Sequence, residues 1–187
     1  MKRVVIFTVA VVLALSAGNA LGQGCGHLNL IFKPEAPSIF PGDFLYDQYV
    51  PQVAAYYGIP ITDFEWCWTQ RVGGTIQGTW VTCGGNNIAI YAPFGLPNEP
   101  DLYVNPGILI TKKGDIFTLS YGLSRYEGMD WVSFGGVTWY GDGTGMYAGA
   151  NGWGTDAPKH YPPSFWIESK GFLCLAEASA SEVPDFD

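Results

Sequence analysis

The chain has 187 residues, 9 Lys and Arg against 17 Asp and Glu (formal net charge −8), 48% hydrophobic and 16% aromatic residues, and 4 cysteines. That length suffices for one domain with a sizeable core and is short for two. The acidic balance excludes functions that neutralise many phosphates with clustered Lys and Arg, so neither nucleic acid nor an anionic membrane surface is an expected partner.

Met1 to Gly22 reads as a secretory signal: Lys2 and Arg3 form the basic start, Val4 to Leu15 the apolar run, and Ser16 to Gly22 a stretch of small residues. The apolar run is short of the ~20 residues that cross a bilayer, and no later segment is longer, so no membrane span is expected. The expected location is outside the cytoplasm, extracellular or periplasmic. Loss of Lys2 and Arg3 leaves 7 basic against 17 acidic residues, a charge of −10. The remaining chain divides into a single domain over 23–175 and an acidic tail over 176–187, which carries four acids and no bases and is expected to be disordered.

After the leader the pattern is of short strands punctuated by glycine. Strands are predicted at His27–Phe32, Phe64–Val72, Thr75–Cys83, Ile88–Ala92, Ile108–Thr111, Ile116–Tyr121, Trp131–Tyr140, Gly145–Gly152, Ser164–Ser169 and Gly171–Leu175. Lys112-Lys113-Gly114-Asp115 joins two of them as a hairpin, with Gly114 as the left-handed residue of a three-residue loop. Asp43 to Tyr57 is the exception. It reads as a short helix capped by Asp43, with Leu45, Tyr49, Val53 and Tyr57 on one stripe and a break or kink at Pro51. Pro93 to Pro106 reads as a loop long enough to form a lid or rim. Strands at this spacing imply an all-β, closed antiparallel barrel or a sandwich.

In an oxidising compartment Cys25, Cys67, Cys83 and Cys174 are disulfide candidates, and they lack the paired spacing of a zinc site. Pairing 67–83 with 25–174 is the first expectation, out of three connectivities. A two-residue turn at Gly73-Gly74 would set Cys67 opposite Trp80, so the 67–83 bridge needs a wider loop, roughly Gly73 to Gln77, or a bulge.

The segment Val137 to Gly154 contains GTGMYAGANG, which resembles the GTGxYAGAxG signature of the allene oxide cyclase and dirigent barrel-like superfamily. Upstream ILITKKGDIFTL resembles the hairpin that precedes that signature, and FWIESKGFLCL resembles the closing strand, so the resemblance spans about Gly107 to Leu175. It implies a closed barrel of about eight antiparallel strands, in which the signature is a tight turn followed by a strand. It also implies dimers or trimers, hence a homo-oligomer as one expectation. Neither family's functional residues fall on matching positions here. From the residues themselves, Gly141, Gly143 and Gly145 permit positive backbone angles, Asp142 and Thr144 can bond the turn's amides, and Gly149 with Ala148 and Ala150 leaves room for close packing.

No His or acid cluster has metal-ligand spacing, no Gly-x-Ser-x-Gly elbow is present, and no cofactor is implied. His160 lies in a proline-stiffened stretch and His27 at a strand start. Glu65, Asp115, Glu127 and Glu168 lie in or beside strands, where an inward orientation would raise their pKa values and suit acid catalysis. The aromatics are the other signal: Phe64, Trp66 and Trp68 alternate onto one strand face, and Trp131, Trp139, Trp153, Trp166, Tyr140, Tyr147 and Tyr161 add more. Rings of this kind fill a barrel, line a ligand cavity in its mouth, or stack on sugars outside it. Trp66, Trp68, Trp139 and Tyr147 are the ligand-contact candidates. Three functions follow: capture of a small apolar or aromatic molecule, a cyclase- or isomerase-like or dirigent-like barrel enzyme with an inward acid, and a carbohydrate-binding or cell-surface interaction module recognising a glycan. A buried carboxylate facing a cavity would favour the enzyme, and a flat outer aromatic patch the interaction module.

Overall fold

The structure, a computed structural model, describes residues 24–33, 38–85, 101–127, 130–161 and 164–176. The leader, the strand predicted at Ile88–Ala92 and the tail beyond Ala176 lie outside the described residues, as do the side chains of Glu127, Trp131, His160 and Tyr161.

Among the described residues nine strands and one longer helix follow in the order β1 (Gly24–Lys33), β2 (Ser38–Ile39), α1 (Phe44–Tyr57), β3 (Trp66–Gly74), β4 (Gly78–Gly84), β5 (Asp101–Thr111), β6 (Gly114–Glu127), β7 (Asp130–Gly143), β8 (Asn151–Tyr161) and β9 (Ser164–Leu175). Each strand from β3 to β9 pairs antiparallel with the next, β9 pairs with β1, and β1 closes the ring on β3 with Phe32 opposite Val72. The result is a closed eight-stranded antiparallel barrel, with β2 a two-residue addition against β3. Closure leaves no long strand edge among these eight to pair with another chain.

Alternation along the strands sorts side chains into two apolar clusters. One fills an end of the barrel interior with Leu28, Leu30 and Phe32 of β1, Trp80, Leu109, Ile116, Tyr140 and Leu173. The other lies outside the barrel, where Val50, Val53 and Ala54 of α1 cover Cys67, Val81, Cys83 and Ile108. Tyr56 of α1 stacks on Phe117 of β6 with centroids 3.9 Å apart.

Both expected disulfides are present, Cys25–Cys174 and Cys67–Cys83. Cys67 stands directly opposite Cys83 because β3 and β4 are joined by Thr75–Gln77 rather than by a two-residue turn. The wider loop resolves the register conflict.

Several boundaries differ from the sequence reading. The helix runs through Pro51; of the expected stripe Val53 is fully buried and Leu45, Tyr49 and Tyr57 pack partly buried against the same cluster, while Val50 and Ala54 join Val53 as the buried positions. Asp43 occupies the N-cap position, but its carboxylate accepts from the Phe40 N–H at 2.7 Å instead of from the first helical turn. β5 starts at Asp101 and includes Pro106, so part of the expected loop is strand. Gly114 belongs to β6 opposite Thr111, leaving Lys112-Lys113 as a two-residue loop, and its φ is positive at 133°.

The signature segment also folds differently from the turn-then-strand expectation. β7 continues to Gly143, a short 3-10 turn covers Gly145–Tyr147, and the next strand starts only at Asn151. Gly145 and Gly149 have positive φ (59° and 72°), whereas Gly141 and Gly143 do not. Those two are small for space: a Cβ at Gly141 would lie 2.2 Å from the Trp139 ring, and one at Gly143 2.0 Å from the Asp115 carbonyl oxygen. Asp142 Oδ1 accepts from Gly143 N and Gly149 N, tying the loop together, while Thr144 Oγ1 accepts from the Asp115 N–H of the neighbouring hairpin.

The tightest approach is between β8 and β9, where a Cβ on Gly171 would sit 1.8 Å from the Trp153 carbonyl oxygen and 2.6 Å from Gly154 Cα. Backbone in a closed barrel cannot step aside. Gly171→Ala is therefore expected to cost more than about 3 kcal/mol, at the upper end of single-residue effects, and an unfolding midpoint within error of wild type would contradict that packing.

Candidate functional site

The barrel interior is polarised along its axis. The end near the β5–β6 turn is plugged by the apolar cluster, but one layer further on the inward positions become polar: Gln70 of β3, Thr82 of β4, Asn105 of β5, Thr118 and Ser120 of β6, Thr138 of β7, Asp156 of β8 and Ser169 of β9. Except for Asp156, which keeps partial exposure, all are buried. Towards the opposite end the pairing places Gly122 of β6 beside Gly136 of β7, so at that level neither strand contributes a side chain to the interior.

The hydroxyls converge on one carboxyl group. Thr138 Oγ1 donates to Asp156 Oδ2 at 2.6 Å, and Ser120 Oγ is hydrogen-bonded to Thr138 Oγ1. Thr138 has one proton, so while it serves the Asp156 carboxylate, Ser120 must be the donor to Thr138. Protonation of Asp156 allows the whole chain to reverse. Nearby, Tyr140 OH pairs with Ser169 Oγ at 3.0 Å, and Trp80 Nε1 donates to Thr118 Oγ1 at 2.8 Å.

Burial pushes the Asp156 carboxyl above the ordinary carboxylate range, and the hydroxyls of Ser169 and Thr138 offset only part of that shift. Among the described residues its Oδ1 is sealed from solvent and has no hydrogen-bond partner. On the facing wall, three strands away round the barrel, the buried Gln70 Oε1 also lacks a partner. Two unpartnered acceptors in one interior are a cost of about 1–3 kcal/mol each, and such groups call for a reason. The Tyr140 hydroxyl, fully buried, is pushed far above its usual range and stays neutral.

The predicted ligand contacts do not come together. Trp66 and Trp68 face the interior side of β3 at the end opposite the apolar plug; Trp66 is 37% exposed and its ring lies across Gly84, where an added Cβ would meet Nε1 at 2.4 Å. Phe64 does not share their face, because β3 begins only at Trp66 and Phe64 packs under α1. Tyr147 is buried at the plugged end. Trp139 points outward, its Nε1 donating to Asn151 Oδ1 at 3.1 Å. There it belongs to a cross-strand row of Leu119, Trp139, Trp153, Phe172 and His27, in which Trp153 meets Phe172 edge-to-face.

Of the acids singled out from sequence, the three whose side chains are described do not face the interior. Asp115 alternates with the inward Ile116 and so faces outward, Glu168 faces outward 3.6 Å from Lys170 Nζ, and Glu65 precedes β3. Asp156 escaped because 153–163 carries Pro158, Pro162 and Pro163 and reads as loop. The signal that would have found it is the period-two run Gly152, Gly154, Asp156, which is inward throughout β8. Among the described residues no group of three or more His, Cys, Asp or Glu is placed to hold a metal ion, and no helix is long and apolar enough to cross a membrane. The disulfides are compatible with an oxidising compartment. Compared with known proteins, the chain matches no family model and no curated sequence.

Proposed function

We propose that this protein captures a small, largely aromatic molecule bearing a hydroxyl or amine in the mouth of its barrel. The observation that carries this reading is the pair of unpartnered acceptors, Asp156 Oδ1 and Gln70 Oε1, facing one interior beneath the Trp66 and Trp68 rim. A ring would pack against the tryptophans while its donor reaches the polar layer, the usual division of labour in small-ligand sites.

A second reading has the same carboxyl as its basis. A carboxyl raised by burial stays protonated to higher pH and is a proton donor for a cyclase- or isomerase-like step, with Ser120 and Thr138 able to relay the proton.

Two measurements test the capture. Native mass spectrometry of protein purified from its own host is expected to show a mass a few hundred daltons above that of the chain. Titration with 1-naphthol, followed by tryptophan fluorescence, is expected to show saturable quenching that naphthalene, which has no donor, does not match. A bare mass together with equal responses to the two probes would sink the proposal.

A further inference from the structure

The mature chain holds seven basic residues, and four of them line one groove: Lys33 at the end of β1, Arg71 on β3, and Lys112 and Lys113 in the β5–β6 turn. The groove has a volume of about 1240 Å³ and runs along the β3–β4 hairpin, with Gln77 and Thr79 among its walls. Lys33 and Arg71 are cross-strand partners, and Arg71 in turn faces Thr79. All four basic side chains are exposed. Among the described residues no Asp or Glu lines the groove, although the chain has 17 acids, and the Lys33, Lys112 and Lys113 ammonium groups have no carboxylate within 4 Å.

Such segregation of charge is informative in an acidic protein. Beyond roughly 8 Å the distant acids are screened at physiological salt, so a ligand in the groove meets a local excess of positive charge. The walls narrow the chemistry. Eight of the strands are locked in a closed ring, so no long edge is free for an extended peptide, and no exposed aromatic lies in the groove on which nucleic-acid bases could stack. What the groove offers is separated cations, hydroxyl and amide side chains, and the backbone of Gly73, Gly74 and Gly78. Those suit a hydroxylated polyanion.

We propose that the groove binds an acidic oligosaccharide, its carboxylates at Lys33, Lys112 and Lys113 and its hydroxyls on the Gln77 and Thr79 wall. The cations of the site lie on the outside of the barrel, and of the residues assigned to the mouth only Gln70 also borders the groove.

Isothermal titration of the full mature chain with hexagalacturonate is expected to give saturable binding at about 30 mM NaCl that weakens at least about tenfold by about 300 mM. A neutral galactose oligomer of equal length is expected not to bind. The double variant Lys112→Gln, Lys113→Gln, altered only in an exposed turn, is expected to lose about tenfold or more, as is Lys33→Gln, whereas Lys159→Gln keeps wild-type affinity. Quenching by 1-naphthol should be unchanged in all of them, which separates this site from the mouth. Absence of binding at low salt, equal binding of the neutral oligomer, equal or tighter binding of a short single-stranded DNA, or wild-type affinity in both groove variants would each overturn the proposal.

Discussion

Replacing Cys25 and Cys174 together by alanine is expected to remove about 5 kcal/mol of stability, against about 3 kcal/mol for Cys67 with Cys83, on the chain-entropy account of disulfides. The difference lies in the unfolded state. The first bridge joins residues 149 apart in sequence and the second residues only 16 apart, so the first withdraws far more freedom from the unfolded chain. A loss of about 5 kcal/mol is a large part of the ~5–15 kcal/mol that holds a typical domain together. It would fall at the β1–β9 seam, which together with β1–β3 closes the barrel. Urea unfolding of the two double variants decides the matter through their midpoints at equal slope. A larger loss from the 67–83 pair would mean that packing beneath α1, where both cysteines are buried, outweighs chain constraint.

Asp156→Asn is expected to separate function from stability. In the wild type the native carboxyl has a raised pKa, so between the ordinary aspartate value near 3.9 and that raised value the folded state binds more protons than the unfolded one. Stability then falls as pH rises through that window, and the deficit is complete above the native pKa. The variant carries no charge there. It is expected to unfold at a higher temperature than wild type at pH 7, by an amount equivalent to on the order of 1 kcal/mol, with the gap closing near pH 3. The same change removes the ionisable acceptor of the polar layer, so 1-naphthol quenching should weaken about tenfold, the scale of one charge-assisted hydrogen bond. A variant that is less stable than wild type at pH 7, or one that binds the probe unchanged, would show that Asp156 is a structural group. Destabilising groups kept in a cavity are a recurrent mark of function.

Much of the architecture was legible in local chemistry. Short runs rich in Trp, Thr, Val and Ile between glycine-containing turns specify strands, and the spacing of those strands pointed to an antiparallel barrel or sandwich. The helix at 44–57 was visible from its period despite Pro51, and both disulfides from the positions of four cysteines. These features depend on residues near one another in sequence or, for the bridges, on the small number of possible pairings.

Tertiary structure alone decided which strand face looks inward, and with it the site. β8 obeys strand alternation despite Pro158 because β9 pairs with it along its length and β7 adds partners for 152–156, a long-range condition with no local trace. That pairing puts Asp156, not Asp115 or Glu168, into the interior, and it gathers Ser120, Thr138 and Ser169 from three other strands around it. The basic groove has the same origin: Lys33, Arg71 and the Lys112-Lys113 turn are scattered along the chain and meet because β1 closes on β3 while the β3–β4 and β4–β5 pairings set the Lys112-Lys113 turn beside the β3–β4 loop. Composition set the total charge and the aromatic content. Where those charges and rings face was settled by the register of the closed sheet, since a shift of one residue in any strand would exchange its inner and outer sets.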